Sequence, residues 1–288
     1  MPQERLRPSR KRLSGAAVCL AACGATLLLL CAVYALRGIW PFGTDNIAYV
    51  DTAQFYLPDY YKLWDAMHGG PDSVCWFSGL AEGAAANVWS YTDPANLVLL
   101  LLPRDHILEG LSLCLAVYLV LIALGASLAV CLRFPDLHPA WKLGLSLAYT
   151  FSGYVLQYYS NLGWLWLTAV FPLLLLALER LLREGRYLLY ALLYAYYLFS
   201  SVYFTYMVTI YVILFTGGYC LFLLPREKRG DRLLRLGLST AAAYGLTAYW
   251  WIGSSSGLAA TSRFQTNLDT GLVNGFTTWD LTNTLHTV

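Results

Sequence analysis

The run from Ile107 to Leu132, ILEGLSLCLAVYLVLIALGASLAVCL, carries one charged side chain, Glu109, close to its start. A helix of this length outreaches the roughly 30 Å hydrocarbon layer of a bilayer. In lipid only a helix pairs every backbone N–H and C=O within its own segment. Working outward, runs of the same kind predict further spans over Leu13 to Leu36, Trp141 to Tyr159, Trp164 to Leu178, Tyr187 to Phe199, Val202 to Leu224 and Leu233 to Gly253. The fold class expected is all-α, a polytopic transmembrane helical bundle of about seven spans. Composition agrees, with 58% hydrophobic and only 12% charged residues and a mean hydropathy of +0.52.

Lys and Arg collect in alternate connections, as cytoplasmic loops require. Fifteen of the 19 lie at or before Arg12, at Arg133 and Lys142, from Arg180 to Arg186 and from Arg226 to Arg235; Arg37, Lys62, Arg104 and Arg263 fall on the other side. The N-terminus is therefore expected on the cytoplasmic side of the plasma membrane. The basic clusters read as topology determinants touching membrane lipids, which argues against a nucleic-acid partner. Six of the seven cysteines sit in or next to predicted spans and only Cys75 lies outside, so neither a disulfide framework nor a zinc spacing is present. The first apolar run has the basic start of a signal peptide but is long, and reads as a retained anchor.

This divides the chain into a basic N-terminus (1–12), a membrane module (13–253) whose outer loop covers 37–106, and an extracytoplasmic segment (254–288). The abrupt polar ending leads us to expect the amino-terminal portion of a longer protein. Within the outer loop, Tyr60, Leu63, Trp64 and Met67 recur at helical spacing, Pro58 suits a first turn, and Gly69-Gly70 ends the helix. NLVLLLLP, from Asn96 to Pro103, is too short to cross and is expected to be re-entrant or interfacial.

The outer loop also concentrates acids: Asp45, Asp51, Asp59, Asp65, Asp72, Glu82 and Asp93. A carboxylate at the membrane surface can take a proton from an attacking hydroxyl, help that is typically worth about 10²–10⁴ in rate. Asp51 is the candidate, following Ile47-Ala48-Tyr49-Val50; the plainer alternative makes it the cap of a helix starting at Thr52. Asp59 and Asp65 are alternatively solvated charges. Asp93 either sets a turn before Pro94 or, with Asn96, meets a polar head group. Gln157 and Asn161, among Tyr154, Tyr158, Tyr159, Trp164 and Trp166, mark either a membrane-interface belt or a groove where a sugar stacks. Hard divalent cations favour oxygen ligands such as these acids, but no spacing demands a metal or other cofactor.

The order VDTAQFYLPDYY, with Asp51-x-x-Gln54-x-Tyr56, then Phe77-Ser78-Gly79-Leu80, a small-residue stretch to Asn87, the Trp89 to Tyr91 region, and Pro94-x-Asn96 entering a leucine run that ends at Pro103, resembles the amino-terminal region of the YfhO-type bacterial membrane proteins. Ala81-Glu82-Gly83 stands where that pattern has a glycine pair. The resemblance implies a GT-C-like glycosyltransferase that uses a polyprenyl-phosphate-linked sugar and modifies a cell-envelope polymer such as teichoic acid. It gives Asp51 the catalytic role and makes Gln54 and Tyr56 its neighbours. Asp59, Glu82, Asn87, Asp93, Asn96, Gln157 and Asn161 follow as candidate substrate contacts. The alternative is a non-enzymatic carrier or scaffold for envelope precursors.

Overall fold

A chain this apolar pairs its backbone by coiling, and the computed structural model is almost wholly helical over the residues it describes: 15–70, 76–77, 84–85, 93–249 and 252. The exception is a two-residue antiparallel ladder between β1 (Trp76–Phe77) and β2 (Ala84–Ala85). The helices are α1 (Gly15–Arg37), α2 (Leu57–Met67), α3 (Asn96–Leu101), α4 (Ile107–Arg133), α5 (Pro139–Thr150), α6 (Gly153–Gln157), α7 (Leu162–Glu184), α8 (Leu188–Ser200), α9 (Val202–Phe222) and α10 (Arg226–Leu246).

Side-chain contacts fix how these run. Tyr34 donates to the Ser112 carbonyl at 2.9 Å and Cys131 lies against Gly15, so α1 and α4 are antiparallel. Gly125 meets Ala169 while Arg133 reaches Glu179 at 2.6 Å, so α4 and α7 are parallel. Tyr197 donates to the Leu167 carbonyl at 2.6 Å, which turns α8 back along α7, and Tyr194 pairs with Thr209 of α9. Tyr190 faces Thr240 and Tyr194 faces Tyr244, placing α10 parallel to α8. One end of the bundle thus gathers Arg133, Lys142, Glu179, Gly185 and Arg232; the other gathers Tyr34, Ser112, Ser160, Trp164 and Ser201.

The core is centred on α4, whose Leu111, Tyr118 and Ile122 are fully buried, and on α7, whose Leu165, Leu174 and Leu178 are likewise enclosed. By contrast α1 turns Leu20, Leu28 and Leu36 outward, as a lipid-facing helix does. Small residues let backbones approach closely where lipid offers no hydrophobic drive to association. Gly125 is such a residue, because a Cβ there would stand 2.0 Å from the Ala169 carbonyl oxygen.

Four of the described helices are long and apolar enough to cross a membrane: α1, α4 with the turn before it, α7 and most of α9. The seven expected spans are not reached by that measure. The α8 helix is apolar but only 13 residues long, and α10 starts seven residues before the expected Leu233, within the charged stretch REKRGDR. The predicted single span from Trp141 to Tyr159 is two helices, with Ser152 extended between them at φ −64°, ψ 158°. Ser146 and Thr150 donate their hydroxyls to carbonyls four residues back, at 2.7 and 2.8 Å, a pattern that bends helices. Ser152-Gly153 completes the break.

Replacing Gly125 with Val should lower the thermal midpoint of the detergent-solubilised protein, since overpacking costs about 1–3 kcal/mol. Gly144→Ala, where nothing lies within 4 Å, is the matched control and should leave the midpoint unchanged or raise it.

Candidate functional site

The turn that carries Asp51 has an uncommon backbone. Val50 has φ 48°, in the left-handed region that β-branched residues avoid, and Thr52–Tyr56 form a π-helical turn. Such conformations cost about 1–3 kcal/mol and persist only where the surroundings enforce them. Here the enforcement comes from the side chains that follow. Thr52, fully buried, donates its hydroxyl to the Ser160 carbonyl, and the Tyr56 hydroxyl, also buried, is hydrogen-bonded to the backbone at Gly163. Asp51 itself is exposed and makes no capping hydrogen bond, so the plainer capping role is not the one it plays. Gln54 is exposed on the same turn.

The chain continues into α2, which buries Tyr60 and Leu63 and has Pro58 in its first turn as expected. Trp64 Nε1 donates to the Leu102 carbonyl at 2.9 Å, and Arg104 grips Asp65 through two hydrogen bonds of 2.7 and 2.9 Å. That ion pair holds the Asp65 carboxyl below the usual carboxylate range, while burial raises Asp59 against the opposing pull of Lys62. The left-handed Gly69 then ends the helical stretch at φ 86°.

Asp93 is buried, with 2% of its surface exposed. It accepts a hydrogen bond from the Tyr118 hydroxyl of α4 and another, at 2.9 Å, from the Ala95 backbone N–H. Burial lifts its carboxyl to about 7 even though both bonds favour the ionised form. Both side-chain polar atoms of Asn96 are buried without a hydrogen-bond partner among the described residues, and the buried Tyr60 hydroxyl lies by that of Tyr118. Burial and the Asp93 charge push the Tyr60 phenol well above its usual value. Burial first, and then the charges of Asp51 and Asp93, push the Tyr56 phenol above its usual value.

Gln157 is exposed at the end of α6 and Asn161 is half-buried where α7 begins, without a side-chain capping bond. Between them runs an aromatic string: Tyr154 to Tyr158 and Tyr158 to Trp164, each pair 5.1 Å apart at the ring centroids, continuing to Phe204 at 5.6 Å. Glu82, Asn87, Arg263 and the segment 254–288 lie outside the described residues. Among those described, no cluster of three or more His, Cys, Asp or Glu side chains is arranged to hold a metal ion.

The model of the family described as bacterial membrane protein YfhO matches residues 23–286. The chain belongs to that family. No curated protein and no solved structure matches it. This YfhO-family member is accordingly a membrane protein of the cell envelope, and the resemblance read from Asp51, Gln54 and Tyr56 is borne out at the level of family.

Two contacts of the YfhO chain escaped the sequence reading, those of Tyr118 and Thr52. Tyr118 offered a signal: a hydroxyl in the middle of an apolar run needs a partner. Thr52 offered none, because its acceptor lies 108 residues away in sequence. The raised Asp93 carboxyl predicts a pH dependence of stability. The folded protein keeps this proton between the unfolded value near 3.8 and about 7, where the unfolded chain has lost it, so stability falls as pH rises through that window. Asp93→Asn should flatten the decline of the thermal midpoint between pH 5 and pH 8, read by tryptophan fluorescence; an unchanged slope would assign the decline to other groups.

Proposed function

We propose that this YfhO-family protein is a membrane glycosyltransferase module that uses a polyprenyl-phosphate-linked sugar to modify a cell-envelope polymer such as teichoic acid. The observation that supports it most is the Asp51 turn: an exposed carboxylate on a strained backbone, held in place by buried Thr52 and Tyr56. Backbone strain kept at this cost is characteristic of functional sites. The basic end of the bundle faces the cytoplasm by the distribution of Lys and Arg, so the Asp51 end faces outward, where envelope polymers are found.

In this reading the acceptor hydroxyl attacks the anomeric carbon of the donor. The new bond forms between that oxygen and the carbon, while the bond from the carbon to the lipid phosphate oxygen breaks, its electron pair leaving with the phosphate. The proton released by the hydroxyl passes to Asp51. Such help is worth about 10²–10⁴ in rate. Tyr56, buried beside Asp51, positions the turn and does not take up the proton, since burial and the acid both push its phenol well above the ordinary value.

Asp51→Asn tests the role cleanly, because the side chain is exposed and caps nothing. Sugar transfer measured in membranes should fall by about 10²-fold or more, with insertion and thermal midpoint unchanged. Transfer near the wild-type rate would remove Asp51 from the mechanism.

A further inference from the structure

The end of the bundle that bears Asp51 holds a groove of about 750 Å³, a size typical of ligand sites. Its deep wall is hydrocarbon, from Leu30 and Val33 of α1, Leu115 and Leu119 of α4 and Val155 of α6. Its mouth is polar, with Arg37, Thr44, Asp45 and Asn46. The mouth is also preformed. Asp45 N–H donates to the Gly38 carbonyl at 2.9 Å, Trp40 N–H donates to the Asp45 carbonyl at 2.9 Å, and the Asn46 side-chain oxygen accepts from Ala48 N–H at 2.9 Å.

Charge at the mouth narrows the occupant. Among the described basic residues at this end, Arg104 is committed to Asp65 and Lys62 lies beside Asp59, whereas no ion pair is formed by Arg37. A guanidinium at the head of an apolar groove suits phosphate. Asp45 adds a carboxylate that repels a bare phosphate but accepts from hydroxyl groups, and Asn46, whose side-chain oxygen already accepts from Ala48 N–H, adds an amide NH2 donor. Hydrocarbon wall, phosphate-seeking cation and hydroxyl-seeking carboxylate together fit a lipid whose head carries both phosphate and hydroxyl groups, as a prenyl phosphate bearing a sugar does. The groove also adjoins the Asp51 turn: Tyr159 lines it, and the next carbonyl, Ser160, takes the Thr52 hydroxyl.

We propose that this groove seats the lipid-linked donor, with its hydrocarbon along α1 and α4, its phosphate on Arg37 and its sugar against Asp45 and Asn46. This assignment rests on the transferase reading above. Its test scores binding without turnover: undecaprenyl phosphate and undecaprenol titrated against the purified full chain in nanodiscs. Arg37→Gln should weaken undecaprenyl phosphate about tenfold and leave undecaprenol unchanged. Val33→Trp, at a half-exposed groove position where folding tolerates bulk, should weaken both.

Wild-type affinity of Arg37→Gln for undecaprenyl phosphate would overturn the assignment, as would displacement of that ligand by an equal concentration of phosphatidylglycerol. Asp51→Asn should bind undecaprenyl phosphate like the wild type. The groove and the transferase reading therefore fail separately: no transfer by the wild type beside weakened binding by Arg37→Gln discards the transferase reading and keeps the lipid groove, whereas transfer that is lost in Asp51→Asn beside unweakened binding by Arg37→Gln discards only the groove.

Discussion

A hydrogen bond from the middle of the central helix to a buried acid, Tyr118 to Asp93, ties the long segment between α1 and α4 to the bundle. Neither group tolerates an apolar interior unpaired. Once Asp93 is enclosed, Ala95 N–H caps its second oxygen and α3 is seated beside Gly110 of α4, where a Cβ would strike the Leu102 side chain at 2.5 Å. Trp64 then fastens α2 to the carbonyl of Leu102, and Thr52 fastens the Asp51 turn to Ser160. The ties end on the middle of α4, on Leu102 just past α3 and on Ser160 between α6 and α7. Asp51 is thereby left in the open at a defined place.

The same arrangement explains why enclosed polarity and exposed polarity divide between two acids. Asp93 is surrounded by Tyr118 and the Ala95 backbone and shifts toward its protonated form. Asp51 is exposed, and the strained backbone at Val50 that precedes it is held by the buried Thr52 and Tyr56 side chains. Tyr56, buried in the same segment, is anchored by its bond to the Gly163 backbone. The groove along α1 and α4 opens beside that turn, through Tyr159 and Ser160.

Much of this was legible in the sequence. The α1 and α4 helices fall within two residues of their predicted bounds, because uninterrupted apolar runs admit only one backbone solution in lipid. The α2 helix was read from the spacing of Tyr60, Leu63 and Trp64, and α3 from a run too short to cross. The break at Ser152 was missed, since TFSGYVLQ keeps its apolar composition while Ser146 and Thr150 bend the helix through their backbone hydrogen bonds. The α10 helix begins early because charged residues extend a helix beyond an apolar boundary as readily as apolar ones do. At the site, composition drew attention to Asp51 and Asp93 alike. Only the three-dimensional partners, Ser160 for Thr52 and Tyr118 for Asp93, separate the exposed acid from the structural one.

The central claim is that the protein makes a glycosidic bond at the end of the bundle that bears Asp51. The most direct measurement reconstitutes the protein in sealed vesicles with a radiolabelled polyprenyl-phosphate sugar and an envelope-polymer acceptor, and then analyses the products for new linkages. The account predicts label covalently joined to the acceptor, with free polyprenyl phosphate released in equal amount. Movement of intact lipid-linked sugar across the vesicle membrane with no new glycosidic bond would contradict it.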